Sequence, residues 1–340
     1  MRLAVALSCA ISLAAQDPEF NSESRLVLVP VTVADAEGRS IDGLEASDFH
    51  LYDNGVPQRA VVDSFATGVA PIALVIAVQS SGISAPVLAK VQKIGAMIQP
   101  LITGDRGCAA LAAFDERVRW LQECTSDPDA LSRAFYTLRP GEQKQARMLD
   151  AVHEAVERLR RRPNVRRVLL LISESRDRGS ESELESVMMA AQAAGVSVYA
   201  FTYSAYKTAF TTKTSQNDPP PEAKIPRANR TEPLSAQGRV PIPPAEQRMD
   251  ILGGIGELAR LGKVRDTEVL TRKTGGATFP FSRQKGLESA IEKLGVELHS
   301  QYLLSFTPES PAPGYHGLEV QVTRPGRFRI RARPGYWSSN

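Results

Sequence analysis

No aspartate or glutamate lies between Pro71 and Lys90. That stretch, "PIALVIAVQSSGISAPVLAK", runs from an apolar strand into a small polar loop, the kind of break at which open α/β sheets place their ligands. A hard divalent cation held there would lack the carboxylate it usually demands. Histidine and cysteine are also scarce, at four and three in 340 residues. His50 and His316 fall in segments patterned as strands, His153 and His299 in helical ones, and no spacing matches a zinc site or a catalytic triad. "SSG" at Ser80–Gly82 lacks the flanking glycine of a nucleophile elbow. A hydrolase using Ser80 or Ser81 would have no visible base beside it. "LGGIG" and "TGG" are not phosphate loops, because no strand leads into the first and no Lys-Ser/Thr follows either. The net charge of +3 is spread too thinly for a nucleic-acid binder, and "RLRRRPNVRR" reads as cations at a helix end. There is no internal repeat.

What remains is the composition of a globular protein, with 42% hydrophobic and 23% charged residues. The opening "MRLAVALSCAISLAAQ" has the outline of a secretory signal peptide, residues 1–15, with a short N-terminal helix as the alternative. No other segment reaches the length of a membrane span. Export would leave Cys108 and Cys124 as an even pair, open to one disulfide or to two buried thiols.

Residues 25–67 read as β, with "DNG" marking a hairpin. From Pro71 strands and helices alternate. Ile72–Val78 and "VRRVLLLIS" are continuous apolar strands of the kind buried on both faces. Ala85–Ile98 and "ARMLDAVHEAVERLRRR" have helical periodicity. This order predicts a mostly parallel, doubly wound α/β sheet. Residues 204–247 carry eight prolines within "SQNDPPPEAKIPRANRTEPLSAQGRVPIPPAEQ" and read as an exposed insertion, after which helical patterning resumes at Met249–Arg260. The chain ends in β patterning, where Arg327, Arg329, Arg331 and Arg333 alternate and are expected on one solvated face.

"GLEASDFHLYDNGVPQRAVVDSF", "FDERVRWLQECTSD", "TGGATFPF", "QYLLSFTP" and "RARPGYW" together resemble the exported bacterial proteins of the von Willebrand factor A-related group. The resemblance implies a doubly wound A-type domain over residues 70–298. It would be inserted in a small β-sandwich formed by residues 25–67 and 300–338. It further implies a sheet edge at Val118–Glu123, hairpinned to Gly107–Phe114, which would bring Cys108 nearly opposite Cys124. A-type domains carry a metal-ion-dependent adhesion site on three loops: Asp-x-Ser-x-Ser, then a Thr, then an Asp. On that pattern Gln79 stands for the Asp, Ser81 matches the first Ser, and Ile83 replaces the second. Ala146 falls at the Thr and Glu174 at the last Asp, with Asp177 nearby. So few oxygen ligands remain that no cofactor is expected. Mg²⁺ or Mn²⁺ held weakly through Ser81, Glu174 and Asp177 is the alternative. The expected function is a non-enzymatic interaction or adhesion module, periplasmic or secreted, whose partner is an unidentified protein of the cell envelope or exterior.

Overall fold

The computed structural model describes residues 26–63, 70–204, 265–308 and 312–338. The leader-like segment 1–15, nearly all of the proline-rich insertion and the helix expected at 249–260 lie outside the described residues.

Fourteen strands can be followed in chain order among those residues. They are β1 (Val27–Ala34), β2 (Phe49–Asp53), β3 (Val56–Gln58), β4 (Val61–Asp63), β5 (Ile72–Gln79), β6 (Cys108–Phe114) and β7 (Val118–Thr125). There follow β8 (Arg166–Ser173), β9 (Val196–Thr202), β10 (Thr278–Pro280), β11 (Tyr302–Phe306), β12 (Gly314–Val322), β13 (Arg329–Arg331) and β14 (Gly335–Ser338). The helices include α1 (Ala85–Val91), α2 (Gly95–Ile98), α3 (Pro128–Tyr136), α4 (Met148–Arg160), α5 (Leu184–Ala193), α6 (Asp266–Thr274) and α7 (Gln284–Ser300).

The central sheet has the order β10-β9-β8-β5-β6-β7. All neighbours are parallel except β6 and β7, which form an antiparallel hairpin at the edge. All eight residues of β5 are buried, because helices cover both faces of a parallel sheet and leave no polar side. One face packs α1, α2, α3 and α7 through Leu88, Ile98, Phe135 and Ile291, the other packs α4 and α5 through Val152, Val156 and Val187. The helix expected over Ala85–Ile98 is broken: a 3₁₀ turn at Gln92–Ile94 separates α1 from α2. Gly95 sits against the Ser132 backbone and the Phe135 ring, so α2 lies too close to α3 for any side chain at that position.

Two four-stranded antiparallel sheets, β13-β1-β11-β4 and β14-β12-β2-β3, lie outside the central one. Each draws strands from both ends of the chain. Val29, Val31, Phe49, Leu51, Leu304, Phe306 and Tyr336 form one core between them, with alternate residues of β1 facing inward as expected for a sheet packed on one side. This sandwich meets the central sheet through buried polar groups. Gln301 donates from Nε2 to Thr32 Oγ1 (3.0 Å) and to the Tyr199 hydroxyl (3.0 Å). Arg166 donates to Gln301 Oε1 and to the Leu298 carbonyl, both at 2.7 Å.

The arginine stripe expected on a solvated face does not exist as such. Only Arg329–Arg331 is strand, and Arg331 pairs with Glu297. Arg333 is 5% exposed and donates to the Gln192 carbonyl at 3.2 Å. Burial pulls its pKa down to about 10. The alternation fails because β13 stops at Arg331, and "RPG" turns the chain toward β14.

Candidate functional site at the carboxyl end of the sheet

In chain order, the central strands lie 3-2-1-4-5-6 across the sheet, so the connections leave β5 and β8 in opposite directions. Ligands of open α/β sheets bind at such a switch point, outside the carboxyl ends of the strands. Gln79 is the last residue of β5, and Glu174 directly follows β8. Both are buried, at 1% and 5% exposure.

The Gln79 side chain bridges the switch point. Its Nε2 donates to Ser81 Oγ at 2.9 Å, and its Oε1 accepts from the Glu174 backbone N–H at 2.9 Å. Ser81 Oγ also lies 3.3 Å from Ser84 Oγ, which accepts from the Tyr203 hydroxyl at 2.9 Å. Burial holds the Tyr203 phenol well above its usual pKa, so it remains a donor. Arg178 pairs with Glu174 at 2.7 Å.

Backbone bonds and further side chains also join the loops. Gly82 N–H donates to the Gln143 carbonyl (2.9 Å) and Gly141 N–H to the Ser80 carbonyl (2.6 Å), which ties the first loop to the second. Ala146 and Arg178 exchange two backbone bonds, which ties the second to the third. Asp177 Oδ1 accepts from the Leu149 N–H at 3.1 Å and from Ser180 Oγ at 2.6 Å. It therefore caps the first turn of α4 from a neighbouring loop, while the residue before α4, Arg147, supplies no side-chain cap. Every pair among the three loops is joined by direct protein bonds.

The structure thus brings Gln79, Ser81 and Glu174 together and gives Asp177 a different task. Ala146 is fully buried and contributes a methyl group. Ile83 contributes hydrocarbon, in a 3₁₀ turn at Gly82–Ser84. This donor set does not fit Mg²⁺. One amide oxygen is used by a backbone N–H, one carboxylate is matched by a guanidinium, and no second free carboxylate approaches among the described residues. Among the described residues, no three His, Cys, Asp or Glu side chains gather as a metal centre would require. Ser80 Oγ donates to the Phe114 carbonyl at 3.3 Å and accepts from Arg119 at 3.0 Å.

Sequence reasoning missed a second ion pair. Asp115, at the tip of the β6–β7 hairpin and 3% exposed, receives both oxygens' bonds from Arg119 Nη1 at 2.9 and 2.7 Å. Gly141 packs on this carboxylate so closely that a Cβ would touch it at 2.6 Å. The signal was present: Asp115/Arg119 and Glu174/Arg178 share one i, i+4 spacing in "FDERVR" and "SESRDR".

Strand order, the antiparallel edge at β7 and three loops converging over β5 and β8 decide the architecture. The fold is that of a von Willebrand factor A-type domain. No family model matches the chain, and no curated protein matches it. Solved structures similar to it include an aerotolerance-related membrane protein from Bacteroides fragilis, at 13% identity and a TM-score of 0.40, covering 66% of this chain and 98% of that one. BatB from Bacteroides thetaiotaomicron has the same coverage and TM-score at 15% identity. Proximal thread matrix protein 1 from the mussel byssus, with zinc in its adhesion-site motif, is 12% identical with a TM-score of 0.43, covering 74% of this chain and 50% of that one. The A-type assignment rests on strand order and loop placement, not on these scores.

The edge hairpin of the A-type domain carries the two cysteines. Cys108 and Cys124 are joined as a disulfide, with Cα atoms 5.4 Å apart. The β6–β7 register shifts twice between Ala109 and Ala112, so that Thr125 rather than Glu123 lies opposite Ala109 beside the disulfide.

Proposed function

We propose that this protein is a non-enzymatic, exported interaction module whose A-type top face binds a protein partner without a divalent cation. The observation that carries the reading is the Gln79 amide, hydrogen-bonded to Ser81 and to the Glu174 N–H. In a metal-dependent site the cation draws the loops together through its ligands. Here a neutral side chain does so, and Arg178 supplies the positive charge opposite Glu174. The loop rim above is polar and exposed at Glu116, Arg117, Glu142, Gln143 and Lys144, a surface suited to ordinary hydrogen-bonded and charged contacts. The disulfide and the leader-like opening support an oxidising compartment, the periplasm or the exterior.

The test uses immobilised mature protein and envelope extract, in EDTA or in Mg²⁺. A protein retained equally in both, and lost with the charge-reversing pair Glu142→Lys/Lys144→Glu, is the expected result. Retention that requires Mg²⁺, or none above background, overturns the proposal.

A further inference from the structure

A second feature lies on the flank of the A-type domain, away from the top loops. A cleft of about 350 Å³ opens between β7 and the C-terminal end of α4. Its walls include Trp120, Arg158, Arg161, Arg162 and Cys124. Arg158 is neutralised by Glu123 at 2.6 Å and lies 3.8 Å over the Trp120 ring. Arg161 and Arg162 form no ion pair among the described residues, so the cleft carries net positive charge. Arg162 Nη1 donates to Cys108 Sγ at 3.4 Å. Both cysteines are partly exposed. Cavity, cations and cystine therefore coincide, and the guanidinium touches one sulfur while the cleft is lined by the other.

We propose that this cystine is a site of thiol–disulfide exchange with small anionic thiols, those carrying a carboxylate beside the sulfhydryl. The carboxylate would lie against Arg161 and Arg162 while the thiolate attacks Cys124 Sγ. A new S–S bond forms between the thiol and Cys124 as the Cys108–Cys124 bond breaks. The electron pair leaves on Cys108 as a thiolate, beside the Arg162 guanidinium. One disulfide is consumed and one is made, so the step needs no oxidant other than the cystine itself. Two effects favour this direction over attack on Cys108. A leaving thiolate of lower pKa departs faster, and a neighbouring cation lowers that pKa. The cleft also concentrates an anion at Cys124.

The folded, oxidised protein is treated with 3-mercaptopropionate or with cysteamine, rates being referred to thiolate concentration. Reactions are quenched with acid, alkylated and mapped by peptide mass. The expected result is an adduct on Cys124 with alkylation on Cys108, and a rate for 3-mercaptopropionate about tenfold or more above that for cysteamine. The preference should shrink as salt is raised. Arg162→Gln, an exposed position, should slow exchange about three- to tenfold. Arg161→Gln should weaken the charge preference without changing which sulfur is attacked. An adduct on Cys108, equal rates for the two thiols, or no exchange in the folded protein at millimolar thiol would each overturn the proposal.

Discussion

Replacing Gln79 by leucine removes both arms of the amide bridge while keeping nearly the same volume, so no cavity is created. The Glu174 N–H then loses its acceptor in a buried site, at a cost of about 1–3 kcal/mol. Ser81 Oγ loses a donor but keeps Ser84 Oγ at 3.3 Å, and that loss should be about 0.5–1.5 kcal/mol. The sum centres near ~3 kcal/mol, or about 6–12 °C in melting temperature for a domain of this size. Urea unfolding followed by circular dichroism reads it directly, with an unchanged m-value showing that the denatured state is unaffected. Ser81→Ala on the Gln79→Leu background should cost about 0.5–1.5 kcal/mol less than on wild type, since the shared bond is already gone. A Gln79→Leu loss below about 0.5 kcal/mol would mean that the amide is incidental and the loops are held by backbone alone. A wild-type stability that rose on adding Mn²⁺ would refute the reasoning from the other side.

Gln79→Asp, Ile83→Ser and Ala146→Thr together supply the missing oxygens, and adding Arg178→Ala frees the Glu174 carboxylate. Calorimetry should find Mg²⁺ binding in the quadruple variant and none in wild type, and silence in both would show that the loops do not hold a cation's geometry. Arg166→Met leaves Gln301 Oε1 and the Leu298 carbonyl without their donor and should lower urea stability by about 2–4 kcal/mol. His316 has an acceptor at each ring nitrogen, Ala312 O at 2.7 Å and Asp53 Oδ1 at 2.9 Å. The Ala312 carbonyl raises its pKa most, burial opposes the rise, and Asp53 adds to it. The folded value therefore exceeds the unfolded one of about 6.5. This contribution to stability is complete below that pH and is lost as pH rises through the folded value. Unfolding midpoints measured from pH 5 to 9 should fall over that window, and His316→Gln should flatten the fall; an unchanged slope in the variant would remove His316 as its source.

Much of the central sheet can be read in the sequence because burial on two faces leaves an unmistakable pattern. β5 is apolar at every position but Gln79, β8 over Val168–Ile172 and β9 over Val198–Phe201, and the loop that follows β5 is short and polar. The departures from the A-type metal-site pattern are equally visible, since they are matters of residue type: an amide at 79, hydrocarbon at 83 and 146. What joins the loops is not. That Gln79 reaches the Glu174 N–H depends on two strands 95 residues apart in sequence becoming neighbours. Asp177 has the same composition as a ligand and acts as a helix cap because its carboxylate meets the start of α4. Arg333 fits an alternating surface stripe until the strand ends two residues before it. Asp115–Arg119 has a visible i, i+4 spacing, but an acidic residue at a hairpin tip ordinarily signals only a turn.

The sandwich draws its strands from both sides of the A-type domain in sequence, and this places that domain outside the line of a pull between Leu26 and Ser338. Leu26 and Ser338 line one common cavity, and β1 lies between β13 and β11 in a single sheet. A pull applied between those two residues loads the strands of the sandwich first. The top loops of the central sheet hang from the sandwich as a side branch, so their shape would hold under stretching until β1 is stripped from its neighbours.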